Sequence, residues 1–580
     1  MSERVDAIIV GAGVTGGIVG AELARAGAKV LCLDKGPHFS DDDFRFKHDE
    51  IRYYSRSAIV PKMATDPITW RPNSRETARI LPWAVGPLAA DEPLHLPPSI
   101  GTGGGSIHWG GASWRLREAD FRMRSSIIER FGKSGIPENT SIVDWPISYE
   151  DLEPYYDRSE WELGISGQAG NVQGEILEGG NPFEAPRKRG FPMPPLKAGA
   201  ADHYFVEASK RLGYHPFPQP AAIVSTDDFA EDRSACTYCG FCHGFPCHVN
   251  AKTSTHNTTI PAGLATGNLE IRPFSRVIKV VRNDSGREVR GVQYLDSSGT
   301  LHEVEAGLVV LGTYTLENTR LLLVSGITGN GHTGKYFMTH NFGFFTGVLP
   351  DFTNPFMGPL TAASVVDDFN AEMIPDNELG AVWGSAITSW AGDIQPIEGA
   401  HNMPPDAPRW GSGFKDWLRH NYRKLHSIYG QTPTMPSEQF FLDLDPTAKD
   451  PYGQPVLRMT HDWTDHDVAA VEVILRVKRK IAKEMGMTDY WEADPRPFYH
   501  LSTHEGGTHR MGEDPRTSVV DTYGETHECK GLYAIGGGQF PTYVAYNPTT
   551  TIMAMAFRTA EHLVGKLPQL TAAAGAASPA

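Results

Sequence analysis

The sequence predicts an α/β fold, α+β overall, in which two intimately connected domains share the 580 residues. Three observations carry this reading. Residues 7–10 form a short apolar strand, followed by a Gly-rich turn, a helix to about residue 26 and a second strand over 29–33, a complete βαβ opening. Residues 308–312 read as a buried parallel strand, and residues 531–535 as another that leads through a Gly turn into a helix beginning near Thr549. A chain of this length also exceeds what one hydrophobic core normally serves.

The opening turn reads Gly11-Ala-Gly13-Val-Thr-Gly16. Gly11 permits the tight turn, Gly13 lets the backbone approach a pyrophosphate, and Gly16 allows the helix to pack closely on the strand. The helix N-terminus offers amide donors and the positive end of its dipole to phosphates. Asp34 ends the second strand where a carboxylate would bind ribose hydroxyls, so the unit is Rossmann-like. The turn alone suits NAD and FAD equally.

Between these landmarks the pattern is uneven. Residues 37–98, rich in Pro, Asp and Arg, read as loops and covering segments, and 127–220 as short helices between Pro-rich connections. A helical stretch ends near residue 265, and strands follow near 270–281 and 291–294. Residues 345–450 are rich in Pro, Gly, Trp and Asn and give no placeable element, whereas 465–484 form a clear helix. The Ala-rich tail, 571–580, is expected to be disordered.

Composition narrows the function classes. Hydrophobic content of 40% and charged content of 21% fit a globular protein, and a net charge of −16 argues against nucleic acid, whose phosphates need clustered Lys and Arg. No apolar run reaches the length of a membrane span, and residues 1–6 lead directly into the first strand without the pattern of a signal peptide. Membrane association or export would then come through a partner.

Four of the six cysteines, Cys236, Cys239, Cys242 and Cys247, fall within twelve residues. Spacings of two, two and four intervening residues suit iron–sulfur ligation, four thiolates also suit zinc, and disulfides or free thiols remain as the plain alternative.

A second Gly-rich stretch, Gly103-Gly104-Gly-Ser106-Ile-His108-Trp109, offers backbone amides and small side chains where a flat ring system could lie. His108 there either packs beside Trp109 or touches that ring. Near the C-terminus stand His504-Glu-Gly-Gly-Thr508-His509-Arg-Met-Gly512 and Asn547-Pro548-Thr549. A histidine is suited to remove a hydroxyl proton while hydride leaves the same carbon, and a neighbouring Asn can hold that oxygen in place. His509 is the rival among the 22 histidines, and Asn547 could also simply cap the following helix.

The early βαβ unit, the second Gly-rich stretch and the Asn-Pro-Thr block together resemble the glucose–methanol–choline (GMC) flavin oxidoreductases. Within that family the resemblance is to the large flavoprotein subunits of gluconate 2-dehydrogenases and related sugar and polyol dehydrogenases. It is carried by residues 101–115, 144–156, 164–183, 214–220 and 236–254. It implies FAD bound at Gly11, Gly13, Gly16, Asp34, Gly103, Gly104, Ser106, His108, Val277, Gly537, Asn547, Pro548 and Thr549, with covalent attachment through His108 as an option. It implies His504 as the base and Asn547 as its partner, and a three-iron cluster needing three of the four clustered cysteines.

The implied domains are a discontinuous FAD-binding domain (1–45, 98–130, 225–335 and 505–570, carrying the cysteine loop 236–247) and a substrate-binding domain with covering segments (46–97, 131–224 and 336–504). The implied activity is oxidation of a secondary alcohol of a sugar, sugar acid or glycoside. Electrons would pass to a cytochrome c-type or quinone acceptor beside a small subunit whose twin-arginine signal takes both to the periplasmic side of the inner membrane; otherwise the chain is cytoplasmic. Rival readings are a glucoside or pyranose 3-dehydrogenase, an oxygen-using enzyme like pyranose oxidase, and a non-catalytic electron-transfer flavoprotein subunit.

Overall fold

Five short parallel strands form the centre of the first domain in the computed structural model, which describes residues 3–44, 50, 66–80, 100–375, 378–497 and 502–576. They are β1 (Ala7–Val10), β2 (Val30–Leu33), β3 (Leu269–Arg272), β4 (Val309–Leu311) and β5 (Leu532–Ala534), in the spatial order β5-β4-β1-β2-β3. Both faces of this sheet are covered, which is why β1, β2, β4 and β5 are apolar throughout rather than alternating.

Helix α1 (Val14–Arg25) leaves β1 through the Gly turn. A Cβ on Gly16 would stand 1.9 Å from the Gly11 carbonyl oxygen, so only glycine lets α1 sit this close to β1. Ile18, Val19 and Leu23 of α1 pack with Met553, Phe557 and Ala560 of the final helix. That helix belongs to the far end of the chain, so the two termini build one core.

Helix α2 (Tyr149–Leu163) starts at Ser148, whose hydroxyl accepts from the Asp151 amide, and stops at Gly164, where φ is +81°. Grouped by sequence with the second domain, it lies against the first: Tyr149, Leu152 and Tyr156 enter the core that contains β1 and β4, and Arg158 stacks on Phe557. Its buried face decides this placement.

The second domain is a six-stranded antiparallel sheet in the order Tyr490–Glu492, Phe345–Val348, Leu425–Tyr429, Ile387–Trp390, Ser364–Val366 and Phe217–Pro218. Helix α3 (Asp465–Glu484) covers it with Val471, Ile474 and Leu475 against Phe345, Ile387 and Ile428. Thr464 and Asp467 cap α3 reciprocally, the Thr hydroxyl accepting from one amide and the Asp carboxylate from the other. The sheet strands inside 345–450 are three to five residues long, too short for their alternation to stand out among Gly and Pro.

Helix α4 runs over Thr549–Ala576. It therefore carries helix into residues 571–576 of the tail expected to be disordered, in keeping with the high helix propensity of alanine. Residues 577–580 and most of the covering segment 46–97 lie outside the described residues.

Candidate active site

Where the two domains meet, residues from both line a cavity of about 420 Å³. One wall is the Gly turn. Gly11 and Gly13 line it, and Gly13 is the N-cap of α1 with no side chain satisfying the helix amides and no acidic residue in the first turn. The positive end of α1 therefore faces the cavity uncompensated, as an anionic phosphate requires. A Cβ on Gly13 would find nothing nearer than Gly104 Cα and the Gly312 carbonyl at 3.8 Å, so that position is kept bare for the cavity rather than by packing.

Asp34 lines the same wall, but its carboxylate is already engaged: Oδ2 accepts from the Ala12 amide at 2.8 Å and Oδ1 from the Gly36 amide at 2.7 Å. It braces the turn, and each oxygen keeps a lone pair for a ribose hydroxyl. Beside it Lys35, Arg276 and Arg320 share Asp66, Glu317 and Asp450 in an ion-pair cluster that the sequence did not announce. Lys35 and Arg276 raise the pairing so far that the Asp66 carboxyl is held well below the usual carboxylate range despite burial.

The second Gly-rich loop closes over this cradle. Gly104, at φ +53°, brings its Cα against Gly13, and a Cβ there would stand 2.9 Å from Gly13 Cα. Gly104, Ser106 and His108 line the cavity, as do Val277, Gly537, Asn547, Pro548 and Thr549. Gly16 and Gly103 do not; they shape the turns from behind, Gly103 against Ile107 and Ser254. The Ser106 hydroxyl donates to the Gly103 carbonyl at 2.6 Å and stands 2.8 Å from that of Ser254.

His504 and Asn547 come together across the cavity. The Asn547 Nδ2 amide donates to His504 Nε2 at 3.3 Å, and Asn547 Oδ1 accepts from the Trp114 indole at 3.0 Å. On its other side His504 Nδ1 lies 3.0 Å from Nδ1 of His340, whose Nε2 is 2.6 Å from the Val544 carbonyl. Burial, with His243 nearby, pulls the His504 imidazole down to about 4, so the ring is neutral at pH 7. His509 does not line the cavity and packs its ring against Gly538.

Phe342, Phe344, Trp390 and Tyr429 stand around His504 as an aromatic enclosure. Phe342 lies 5.3 Å from both Phe344 and Tyr429 between ring centroids, and Trp390 meets Tyr429 edge-on at 5.6 Å. Gln219, Thr388, Ser389 and His243 add polar groups to this half of the lining. Phe342, Phe344, Thr388, Ser389, Trp390 and Tyr429 follow no motif, and His340 is one unmarked histidine among 22. Trp114, Gln219 and His243 lay inside stretches, 101–115, 214–220 and 236–254, that the sequence had singled out.

The cysteine loop abuts the same cavity. His243, between Cys242 and Cys247, lines it. The loop is held by the Asp393 carboxylate, which accepts from the Cys242 amide at 3.1 Å and the His243 amide at 2.7 Å, and by Lys252, whose buried ammonium donates to the Cys242 and Phe245 carbonyls at 2.6 and 2.7 Å. No two of the six cysteines are joined in a disulfide, and burial pushes the Cys236 thiol up to about 11. Among the described residues no three or more His, Cys, Asp or Glu side chains converge closely enough to hold a metal ion. The four thiols are thus right in number and kind for a cluster but are not gathered into a ligand cage.

Residues 144–342 and 436–556 match the GMC oxidoreductase domains, and residues 9–62 match an NAD(P)-binding Rossmann-like domain. The gluconate 2-dehydrogenase flavoprotein of Pantoea cypripedii is 32% identical over 96% of this chain and 93% of its own length. The chain is a GMC oxidoreductase.

The fructose dehydrogenase large subunit of Gluconobacter japonicus is 26% identical over 97% of this chain and 98% of its own. Among solved structures, a formate oxidase from Aspergillus oryzae RIB40 superposes with a TM-score of 0.60 at 15% identity, covering 98% of this chain and 99% of that one. It shares the GMC fold. In the central sheet β1, from the start of the chain, lies beside β4, which in turn pairs with β5. No helix among the described residues is long and apolar enough to cross a membrane.

Proposed function

We propose that this GMC oxidoreductase is an FAD-dependent dehydrogenase that converts a secondary alcohol of a sugar, sugar acid or glycoside into a ketone. The observation that carries it is the His504–Asn547 pair, 3.3 Å apart, in the cavity that also contains the Gly11–Gly13 cradle. FAD fits that cradle: the bare Gly13, the uncapped end of α1 and the Asp34 carboxylate suit a pyrophosphate and ribose. When bound, FAD supplies the two-electron acceptor for the hydride that leaves the carbinol carbon.

The remaining work falls to the protein. The substrate hydroxyl enters between His504 Nε2 and Asn547 Nδ2, donating to the first and accepting from the second. Its proton passes to Nε2 as hydride departs, so the alcohol loses two electrons and two hydrogens and becomes a ketone. Asn547 holds the oxygen as it gains carbonyl character. Aromatic faces of Phe342, Trp390 and Tyr429 suit the C–H faces of a sugar ring and keep bulk water from the reacting carbon.

The test is anaerobic bleaching of the bound flavin by D-gluconate, D-glucose and methyl β-D-glucoside. His504→Ala is expected to retain flavin and slow bleaching on the order of 10²–10⁴-fold. Full-rate bleaching in that variant would remove His504 from the place of the base, and no bleaching of the wild type by any of the three would instead mark a non-catalytic electron-transfer subunit.

A second reading rests on the cysteine loop. We propose that three or four of Cys236, Cys239, Cys242 and Cys247 hold an iron–sulfur cluster of the three-iron type, serving a small subunit and a cytochrome c-type or quinone acceptor at the periplasmic side of the inner membrane. It is supported by the spacing of the thiols, by the loop's place beside the cavity, and by a relative that is itself named a large subunit. The loop as folded is no preformed cage, and no step of the reaction is assigned to a cluster. His108 lines the cavity where a flavin ring would lie. Acid precipitation distinguishes its two readings: a covalent flavin stays with the protein, and a merely contacting one is released.

A further inference from the structure

His340 is used by no motif, yet it occupies a decisive place. It is fully buried, its ring 4.7 Å from that of Tyr543, and it stands behind the proposed base rather than in the cavity. Four hydrogen bonds run in series through it: Trp114 Nε1 to Asn547 Oδ1, Asn547 Nδ2 to His504 Nε2, His504 Nδ1 to His340 Nδ1, and His340 Nε2 to the Val544 carbonyl, at 3.0, 3.3, 3.0 and 2.6 Å.

The ends of this series fix its direction. An indole N–H can only donate, so the Asn547 amide must turn its oxygen to Trp114 and its NH₂ to His504. A backbone carbonyl can only accept, so His340 must carry its proton on Nε2. The neutral His340 ring then has a lone pair on Nδ1, which obliges His504 to carry its own proton on Nδ1. What remains on His504 is a lone pair on Nε2, aimed beside Asn547.

We propose that His340 is a positioning residue that sets the tautomer of His504 and so presents the Nε2 lone pair to the substrate hydroxyl. The inference rests on the alcohol-oxidation reading of the site. It deepens that reading by assigning to a neutral imidazole the orienting task that a carboxylate performs in hydrolytic triads. It also sets the fate of the proton. Once Nε2 is protonated, the His504 imidazolium still donates through Nδ1 to His340, whose only proton is given to a peptide carbonyl. A hop to the His340 Nδ1 lone pair would go no further, because the peptide carbonyl beyond Nε2 cannot take up a proton, so the proton reaches solvent from His504 Nε2 through the cavity, the way the product leaves.

Two conservative variants separate this role from simple support of the fold. His340→Asn keeps an acceptor near the Nδ1 position, towards His504, and loses the donor towards Val544. His340→Gln keeps a donor near the Nε2 position, towards Val544, and loses the acceptor towards His504. Each holoenzyme is assayed by stopped-flow anaerobic bleaching with whichever of D-gluconate, D-glucose and methyl β-D-glucoside bleaches the wild type fastest, alongside flavin content and melting temperature.

His340→Gln is expected to lower the limiting rate about 10–100-fold with the half-saturating substrate concentration unchanged, and His340→Asn to recover most of that loss. A limiting rate for His340→Gln equal to or above that of His340→Asn overturns the proposal, because it is the order a purely structural tie to Val544 would give. Wild-type rates in both variants overturn it as well. If none of the three compounds bleaches the wild-type flavin, the alcohol-oxidation reading itself fails, and the assigned role falls with it.

Discussion

The carbonyl oxygen of His108 accepts a 2.7 Å hydrogen bond from the amide of Gly244. This bond ties the Gly-rich loop over the cofactor cradle to the cysteine loop. Gly244 sits at φ +87°, where a side chain is strained by about 1–2 kcal/mol. Gly244→Ala is expected to keep flavin but to shift its visible absorption and slow substrate bleaching, as read by titration and stopped flow. An unchanged spectrum and rate would show that the loops are not coupled.

Iron content discriminates among the readings of the cysteines. Iron and acid-labile sulfide assayed on anaerobically purified protein, with Cys236, Cys239, Cys242 and Cys247 replaced singly by Ser, should show iron lost in three variants and kept in one if a three-iron cluster is held. Zinc in place of iron, or no metal in the wild type, would remove the wired-dehydrogenase reading while leaving the flavin site untouched.

Gly13→Ala isolates cofactor binding from folding. The space around a new Cβ is open to 3.8 Å, so the chain should fold with an unchanged apoprotein melting temperature. The methyl group would project into the cradle, and flavin occupancy, read as the ratio of flavin to protein absorbance, should fall severalfold. Full occupancy would place the pyrophosphate elsewhere. Gly16→Ala, by contrast, should prevent folding, because its Cβ would meet the Gly11 carbonyl at 1.9 Å.

Trp114→Phe leaves a stacked aromatic ring on Tyr546 but removes the donor that orients Asn547. The freed amide can turn its oxygen to His504, and the limiting rate of bleaching should drop by about tenfold, the equivalent of roughly 1.4 kcal/mol in the barrier. A change confined to substrate affinity would argue that the indole acts only as part of the wall.

The pH dependence follows from the sign of the His504 shift. Burial disfavours the imidazolium, so the ring that ordinarily titrates near 6.5 stays a neutral base down to about 4. Bleaching by substrate should hold its limiting rate from about pH 8 to about pH 5 and be lost as pH falls through about 4. An acid limb near 6.5 would contradict the burial argument.

Much of this was legible in the sequence because it is local. The turn from Gly11 to Gly16, the strand before it and Asp34 after it sit within one stretch, and His504 and Asn547 lie in short marked blocks. His340, Trp390 and Tyr429 were not legible: each reaches the site from a separate short strand of the antiparallel sheet or its flank, and only tertiary pairing brings them together. The same holds for Lys35 and Arg276, whose partner Asp66 lies far from both in the chain. Asp34 shows the converse, since its position announced a ribose contact while its two backbone bonds to Ala12 and Gly36 needed coordinates to be seen.

The central sheet places β1, made from residues 7–10, two strands away from β5, made from residues 532–534, with Asn547–Thr549 closing the cavity. During synthesis the ribosome therefore releases the βαβ opening long before the strand and helix that complete it. No partial chain holds the whole flavin cradle, so the cofactor is loaded onto a nearly finished polypeptide. A premature stop anywhere before residue 549 yields a protein that lacks Asn547 or the helix start beside it, and which leaves the apolar face of α1 without its partner α4.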